Sequence, residues 1–203
     1  MKRILRRWLS VLLAISMILV ALPMEAVEAV AAELHEAVDG VEYSIDGDGT
    51  ITWVNLNGAS EISIPEMIDG IPVTAIGYGV FASNRSLVSV KIPEGVTAIY
   101  DNAFQSCTSL SSVELPDSVK HIGNHGFLGC PSLTSLEMPE QLESIGNYVF
   151  ADCSSLESIT FAENLTSIGE GAFHNCSSLP QITIPEGVPA LLTNTFYGCS
   201  SLA

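Results

Sequence analysis

Residues 110–132 read LSSVELPDSVKHIGNHGFLGCPS and hold one complete unit of the pattern that decides the fold. The pattern returns every 23 residues and is marked by phenylalanine at Phe81, Phe104, Phe127, Phe150, Phe173 and Phe196. Cysteine follows in the same register at Cys107, Cys130, Cys153, Cys176 and Cys199. A unit this short cannot bury its own apolar face, so a fixed period predicts a solenoid of stacked coils.

The unit also predicts the course of the chain within one coil. Apolar residues around Val113 predict one short strand, and Val119–Ile122 predicts a second extended segment. Gly123 suits a tight corner, and the residues after it have room for one or two short helical turns. The predicted fold class is a repeat solenoid, mostly β, with short parallel strands, tight corners and short helical turns, wound as a curved right-handed coil.

Two stretches of the array resemble a known family. IPEGVTAI at 92–99 and AFHNCSSL at 172–179 are similar to bacterial leucine-rich repeats of the BspA-like type. The resemblance covers residues 61–203, about 70 per cent of the chain, in six copies. It implies a leucine-rich repeat fold in a protein that is secreted or attached to the cell surface, where several members act as adhesins. The implied function is protein recognition or adhesion, without enzymatic activity.

The N-terminus carries the features of a secretory signal. Four basic residues precede an uncharged run at 8–24, and small residues at 29–31 form a cleavage motif. We therefore predict a signal peptide at 1–31 and a linker at 32–40. The uncharged run is shorter than the ~20 residues of a comfortable membrane span, although an uncleaved anchor stays an alternative.

The mature chain is strongly acidic. Removing residues 1–31 takes away four of seven basic residues and two of 23 acidic ones, which leaves a formal charge of about −18. Such a surface repels nucleic acid phosphates and anionic lipid. The expected partners are extracellular proteins or glycans, with no nucleic acid and no membrane contact beyond an uncleaved signal segment.

Residues 41–72 lack the 23-residue period. Alternating residues on both sides of DGDG at 46–49 predict a β-hairpin, and we expect this segment to be an N-terminal cap and lead-in. The repeats then occupy residues 73–203 as five complete units and a partial sixth. Because that sixth unit stops after 16 residues, we expect the natural chain to continue beyond Ala203.

The polar columns of the array predict structure rather than catalysis. The five cysteines share one column, where parallel side chains are poorly placed for disulfides or a tetrahedral metal site, so we expect buried, reduced thiols. The serine column lacks a uniquely placed base, and His121 and His125 are separated by a glycine corner. The sequence therefore predicts no catalytic residue, no metal site and no cofactor.

Outward positions of the first strand form the candidate ligand face. They are Ser89, Lys91, Ser112, Glu114, Ser135, Glu137, Ser158, Thr160, Gln181 and Thr183. A weaker candidate is a patch of rings beside the phenylalanine column, namely Tyr78, Tyr100, His125, Tyr148, His174 and Tyr197.

Two alternatives to a recognition protein stay open. The repeats could be a recognition or spacer module of a larger secreted hydrolase. They could also form a structural stalk stiffened by calcium along the acidic column Glu66, Glu94, Asp117, Glu140, Glu163 and Glu186.

Overall fold

The computed structural model describes residues 36–38 and 40–203, and the predicted signal peptide lies outside them. The described residues form short strands joined by turns, and they contain no helix. The strands are β1 (Glu36–Val38), β2 (Val41–Ile45), β3 (Thr50–Asn55), β4 (Glu61–Ser63), β5 (Met67–Ile68), β6 (Ile71–Pro72), β7 (Ala75–Ile76), β8 (Ser89–Lys91), β9 (Ala98–Ile99), β10 (Ser112–Glu114), β11 (His121–Ile122), β12 (Ser135–Glu137), β13 (Ser144–Ile145), β14 (Ser158–Thr160) and β15 (Ser167–Ile168).

Each regular coil contributes two strands, which stack in parallel on the strands of the next coil. The first strands form the sheets β4-β8-β10 and β12-β14, here called the first-strand sheet. The second strands β7, β9, β11, β13 and β15 are neighbours in one continuous sheet, the second-strand sheet. Partners from β7 onward are 23 residues apart, as in the pairing of His121 with Ser144, whereas β4 and β8 pair at a separation of 28 residues. The predicted solenoid of short parallel strands is confirmed.

An antiparallel hairpin adjoins the first regular coil. Strand β2 pairs with β3 and with β1, and β3 in turn pairs in parallel with β7 through Ile51 and Ile76. Tyr43 and Ile51 of the hairpin are buried in the same apolar core as the repeats. This arrangement supports our proposal that residues 41–72 cap the solenoid, because the hairpin covers an apolar end that would otherwise be wet.

Stacked phenylalanine rings run through the core. Successive rings from Phe81 to Phe196 lie 4.9–5.7 Å apart between centroids and are tilted by no more than 17°. The first five rings are fully buried, whereas Phe196 is half-buried. Offset stacked rings at this spacing add to the stability gained from burying their surface. Each coil is thus held by its neighbours.

The segments predicted to be short helical turns form a different kind of turn. Two residues per coil, two positions before and two after the phenylalanine, have φ between 53° and 77°. The first column is Gly79, Asn102, His125, Tyr148, Gly171 and Asn194, and the second is Ser83, Ser106, Gly129, Asp152, Asn175 and Gly198. An α-helix cannot include such left-handed residues. The predicted helical segments are therefore isolated turns rather than a continuous helix.

The left-handed residues redirect the backbone hydrogen bonds from the local turn to the next coil. In one coil the N–H groups of Asn102, Phe104 and Ser106 donate to carbonyl oxygens 22 residues further on, at 2.7–2.9 Å. The same pattern recurs in the following coils, for example from the Phe127 N–H to the Val149 oxygen at 2.9 Å. This side of the solenoid is therefore a third hydrogen-bonded ladder between coils.

The sixth coil leaves the regular pattern at two prolines. In earlier coils the N–H groups of Glu157 and Thr166 donate to the preceding coil at 2.8 and 2.9 Å. Pro180 and Pro189 occupy the equivalent positions 23 residues later and have no N–H to donate. Residues 181–191 accordingly form no strand.

Candidate recognition surfaces

The first-strand sheet presents the predicted ligand face to solvent. In β10, β12 and β14 the middle residue is buried and its two neighbours are exposed. Nine of the ten candidate residues are exposed, and Ser89 is half-buried. Alternation along a strand places these positions on one side of the sheet. The structure thus places eight of the ten residues on the outer side of these strands, whereas Gln181 and Thr183 lie in a segment without a strand. The role of all ten in binding stays a prediction.

This face is polar and carries few charges. The Lys91 ammonium lies 3.0 Å from the Glu114 carboxylate in the next coil, and both side chains are well exposed. An exposed ion pair of this kind contributes little to stability. The remaining positions are mostly serine and threonine hydroxyl groups, which are small enough for another protein to approach the backbone closely.

The cysteine column lies inside the solenoid. All five thiols are free; four are buried and Cys199 is half-buried. The Sγ atom of Cys130 donates to the Phe104 carbonyl oxygen at 3.2 Å, and the other four bond in the same way to the phenylalanine carbonyl 26 residues earlier, at 3.0–3.2 Å. Desolvation by burial raises the pKa of Cys107 to about 11 and that of Cys130 to about 12. These thiols are therefore protonated and tie the coils together.

Asn84 replaces cysteine in the first copy and bonds differently. Its Oδ1 atom accepts hydrogen bonds from the N–H groups of Ser86 and Leu87 at 3.0 and 2.9 Å. The side chain thus holds the loop of its own coil, whereas each cysteine bonds to the coil before it.

Two histidines and four tyrosines form ring pairs on the side that carries the third ladder. Tyr78 stacks on Tyr100 with 4.9 Å between centroids, and His174 stacks on Tyr197 at 5.1 Å. His125 stacks on Tyr148 at 5.9 Å. His121 lies elsewhere, on β11, with its Nδ1 atom 2.9 Å from the Ser144 hydroxyl. His121 and His125 therefore belong to different surfaces of the coil.

A corner follows each first strand, and two cavities lie along it. The first, of about 480 Å³, is lined by residues of three coils, including Lys91, Glu94 and Glu114. The second, of about 510 Å³, lies between the fifth and sixth coils and is lined by Phe161, Glu163, Thr183, Ile184, Pro185, Glu186 and Gly187. The sequence analysis missed this second cavity. Its signal in the sequence is Phe161-Ala162, because the other copies have isoleucine, leucine or methionine followed by proline at these positions.

Residues 36–38 and 40–203 hold neither a metal-binding cluster nor a membrane-spanning helix. No group of three or more His, Cys, Asp or Glu side chains is arranged to hold a metal ion among these residues. Within the same part of the chain, no helix has the length and apolar character needed to cross a membrane.

The chain was compared with known protein families and solved structures. A family model described as BspA type leucine rich repeat region matches residues 74–203 in six copies. A search of curated proteins found no match.

Solved structures that share at least 30% sequence identity with the chain include the following three. A leucine-rich repeat protein of T. pallidum is 33% identical with a TM-score of 0.76, over 83% of this chain and 80% of that one. A leucine-rich repeat protein of Bacteroides ovatus is 31% identical with a TM-score of 0.68, over 82% of this chain and 45% of that one. A leucine rich cell surface protein of Faecalibacterium prausnitzii is 30% identical with a TM-score of 0.60, over 84% and 53%.

The chain spans about half the length of the last two relatives. Six matching copies of the repeat and the similarity to the T. pallidum structure over most of both chains identify the family. The chain belongs to the BspA-type leucine-rich repeat proteins.

Proposed function

We propose that the chain is a secreted or surface-exposed recognition protein that binds another extracellular protein through its first-strand sheet and thereby mediates adhesion. The observation that carries the proposal is the row of exposed polar side chains on β8, β10, β12 and β14, backed by a fully buried core. A rigid sheet holds such side chains in place before binding, so less conformational entropy is lost on association.

Membership of the family supports the part of this proposal that concerns protein recognition, because leucine-rich repeat proteins generally bind proteins. One similar protein carries the description of a cell surface protein. The strong negative charge of the mature chain further favours partners that present cationic patches. We also propose that the chain has no enzymatic activity of its own.

A binding screen with matched variants tests the proposed surface. The purified chain is applied to immobilised extracellular-matrix proteins, whole bacterial cells and a glycan array. Ser135→Arg places a large charged side chain at the exposed start of β12, and Ser167→Arg does the same on β15 of the second-strand sheet. We expect Ser135→Arg to weaken binding about tenfold, because a bulky charge in the centre of an interface prevents close packing.

Ser167→Arg is the control and should leave the affinity unchanged. An equal loss of affinity in both variants, or a loss of affinity only in Ser167→Arg, would contradict the assignment of the binding surface to the first-strand sheet. Absence of saturable binding across the whole panel would count against recognition itself.

Export is tested separately. The complete chain is expressed in a bacterial host, the cells are fractionated, and the N-terminus of the product is sequenced. We expect an extracellular or surface product that begins near residue 32. Retention of an intact N-terminus in the cytoplasm would contradict the proposed location.

A further inference from the structure

The fifth coil differs from every other coil at the corner that follows its first strand. The other copies carry isoleucine, leucine or methionine and then proline, as in Ile92-Pro93, whereas the fifth carries Phe161-Ala162. The Phe161 ring is half-buried and makes an edge contact with Phe173, at 6.0 Å between centroids and an angle of 71°. The aromatic side chain thus lies partly exposed at the solenoid surface, with one edge against the core.

The cavity beside Phe161 has the size and lining of a binding pocket for a side chain. Its volume is about 510 Å³, within the range of about 300–1,000 Å³ that is typical of ligand sites. Phe161, Ile184 and Pro185 are half-buried and form its apolar part. Glu163 and Glu186 are exposed and supply two carboxylates to the lining.

Neither of these carboxylates has a cationic partner among the described residues. The ion pairs found there are Lys91 with Glu114 and Lys120 with Glu143. Thr160 and Thr183 occupy, in the fifth and sixth coils, the position that Lys91 occupies in its own coil. The pocket therefore combines an apolar floor with uncompensated negative charge.

An amine lies at the same corner of an earlier coil. Lys91 helps to line the cavity of about 480 Å³, and its ammonium group lies 3.0 Å from Glu114, a first-strand carboxylate whose position is taken by Thr160 and Thr183 in the fifth and sixth coils. A lysine or arginine side chain can lay its methylene stem on apolar surface while its charged head stays at the rim. An aromatic ring also attracts a cation placed over its face.

From this arrangement we infer that the Phe161 pocket binds a lysine or arginine side chain of a flexible, cationic segment of a partner protein. The stem packs on Phe161, Ile184 and Pro185, and the charged head interacts with Glu163 and Glu186. The inference rests on the proposed recognition function and specifies the chemistry of the partner. It also places a second contact at the edge of the first-strand sheet, because Thr183 is shared by the cavity and the candidate ligand face.

Short peptides test the pocket directly with the isotope-labelled full chain. Acetyl-Gly-Arg-Gly-amide and its lysine analogue are titrated and followed by NMR chemical shifts. The norleucine analogue keeps an aliphatic stem without charge. We expect the cationic peptides to shift signals of Phe161, Ile184 and Gly187 and to bind about fivefold more tightly than norleucine, the factor expected from two exposed charge pairs.

Matched variants separate the pocket from the general negative charge of the protein. Glu163→Gln with Glu186→Gln removes both pocket carboxylates, and Glu66→Gln with Glu94→Gln removes two at the first cavity. All four side chains are exposed, so the variants should fold. We expect the first pair to abolish the preference for cationic peptides at the pocket signals and the second pair to leave it intact.

Three outcomes would overturn the inference. They are shifts spread evenly over the acidic surface, equal loss of binding in both pairs of variants, and equal affinity for the arginine and norleucine peptides. These results are distinguishable from a failure of the proposed function. A partner that binds through Ser135 with unchanged affinity for the Glu163→Gln, Glu186→Gln variant would leave recognition standing and refute the pocket alone.

Discussion

Replacing one phenylalanine of the core column by leucine measures how strongly neighbouring coils stabilise each other. Phe127 is fully buried between Phe104, at 5.1 Å and 1°, and Phe150, at 5.7 Å and 7°. Leucine keeps an apolar side chain at this position but removes both ring contacts. Phe127→Leu therefore isolates the stacking more cleanly than a change to alanine, which would also leave a large cavity.

The magnitude follows from the number of ring pairs that are lost. Each aromatic pair contributes about 0.5–1.5 kcal/mol beyond the burial of its area. Losing two pairs, with a small packing defect, should lower the free energy of unfolding by about 2–3 kcal/mol. The double variant Phe104→Leu, Phe127→Leu loses three pairs rather than four, so its effect should fall short of the sum by about 1 kcal/mol.

A second double variant serves as the control. Phe81 and Phe150 share neither a ring contact nor a ring partner, so the effects of Phe81→Leu and Phe150→Leu should add. Urea unfolding followed by far-ultraviolet circular dichroism gives the four free energies that each cycle needs. Equal coupling in both cycles, or no coupling between Phe104 and Phe127, would refute the argument that each coil is stabilised by its immediate neighbours.

Three further predictions concern other columns of the array. Burial raises the pKa of Cys130 to about 12, whereas Cys199 is only half-buried. Iodoacetamide at pH 8 should therefore modify Cys199 first in the native protein. If mass spectrometry found Cys130 reacting as fast as Cys199, that result would contradict the burial of Cys130. Ser106→Gly should raise the free energy of unfolding by about 1 kcal/mol, because Ser106 has φ of 58° and glycine adopts this conformation without steric cost. A loss of stability in urea unfolding would show that the backbone at Ser106 is not strained. Pro180→Glu with Pro189→Thr should restore the missing hydrogen bonds of the sixth coil to the fifth and slow amide exchange there; unchanged exchange would show that the two prolines do not cause its departure.

The core and the strand positions could be predicted because they follow directly from the period. One phenylalanine, one leucine and one cysteine per 23 residues are apolar columns, and parallel stacking is the arrangement that buries them together. Alternation around Val113 predicts which neighbours point outward, and Ser112 and Glu114 are indeed exposed.

The turns were harder to predict because residue type specifies them weakly. Of the twelve left-handed positions, four are glycine, and the others include Tyr148 and His125. Tyrosine rarely adopts this conformation, so no single copy reveals it. The signal lies in the column as a whole, because Gly79, Asn102 and Asn194 are residue types that tolerate positive φ.

The Phe161 pocket depends on a difference between copies rather than on their common pattern. An alignment of the units shows Phe161-Ala162 in place of isoleucine, leucine or methionine followed by proline, but the width of the resulting gap depends on the sixth coil. Pro180 and Pro189 explain why that coil is bonded differently. The pocket therefore required both the aligned repeats and the three-dimensional arrangement.

The central claim is that each coil is held by its neighbours, and the hydrogen bonds of the turn ladder test it most directly. Scalar couplings across hydrogen bonds can be measured by NMR between the Phe127 N–H and carbonyl carbons in a labelled sample. We expect a coupling to Val149, whose oxygen lies 2.9 Å from the Phe127 nitrogen in the next coil. A coupling to Gly123, four residues earlier, would instead show an α-helical turn and contradict the account.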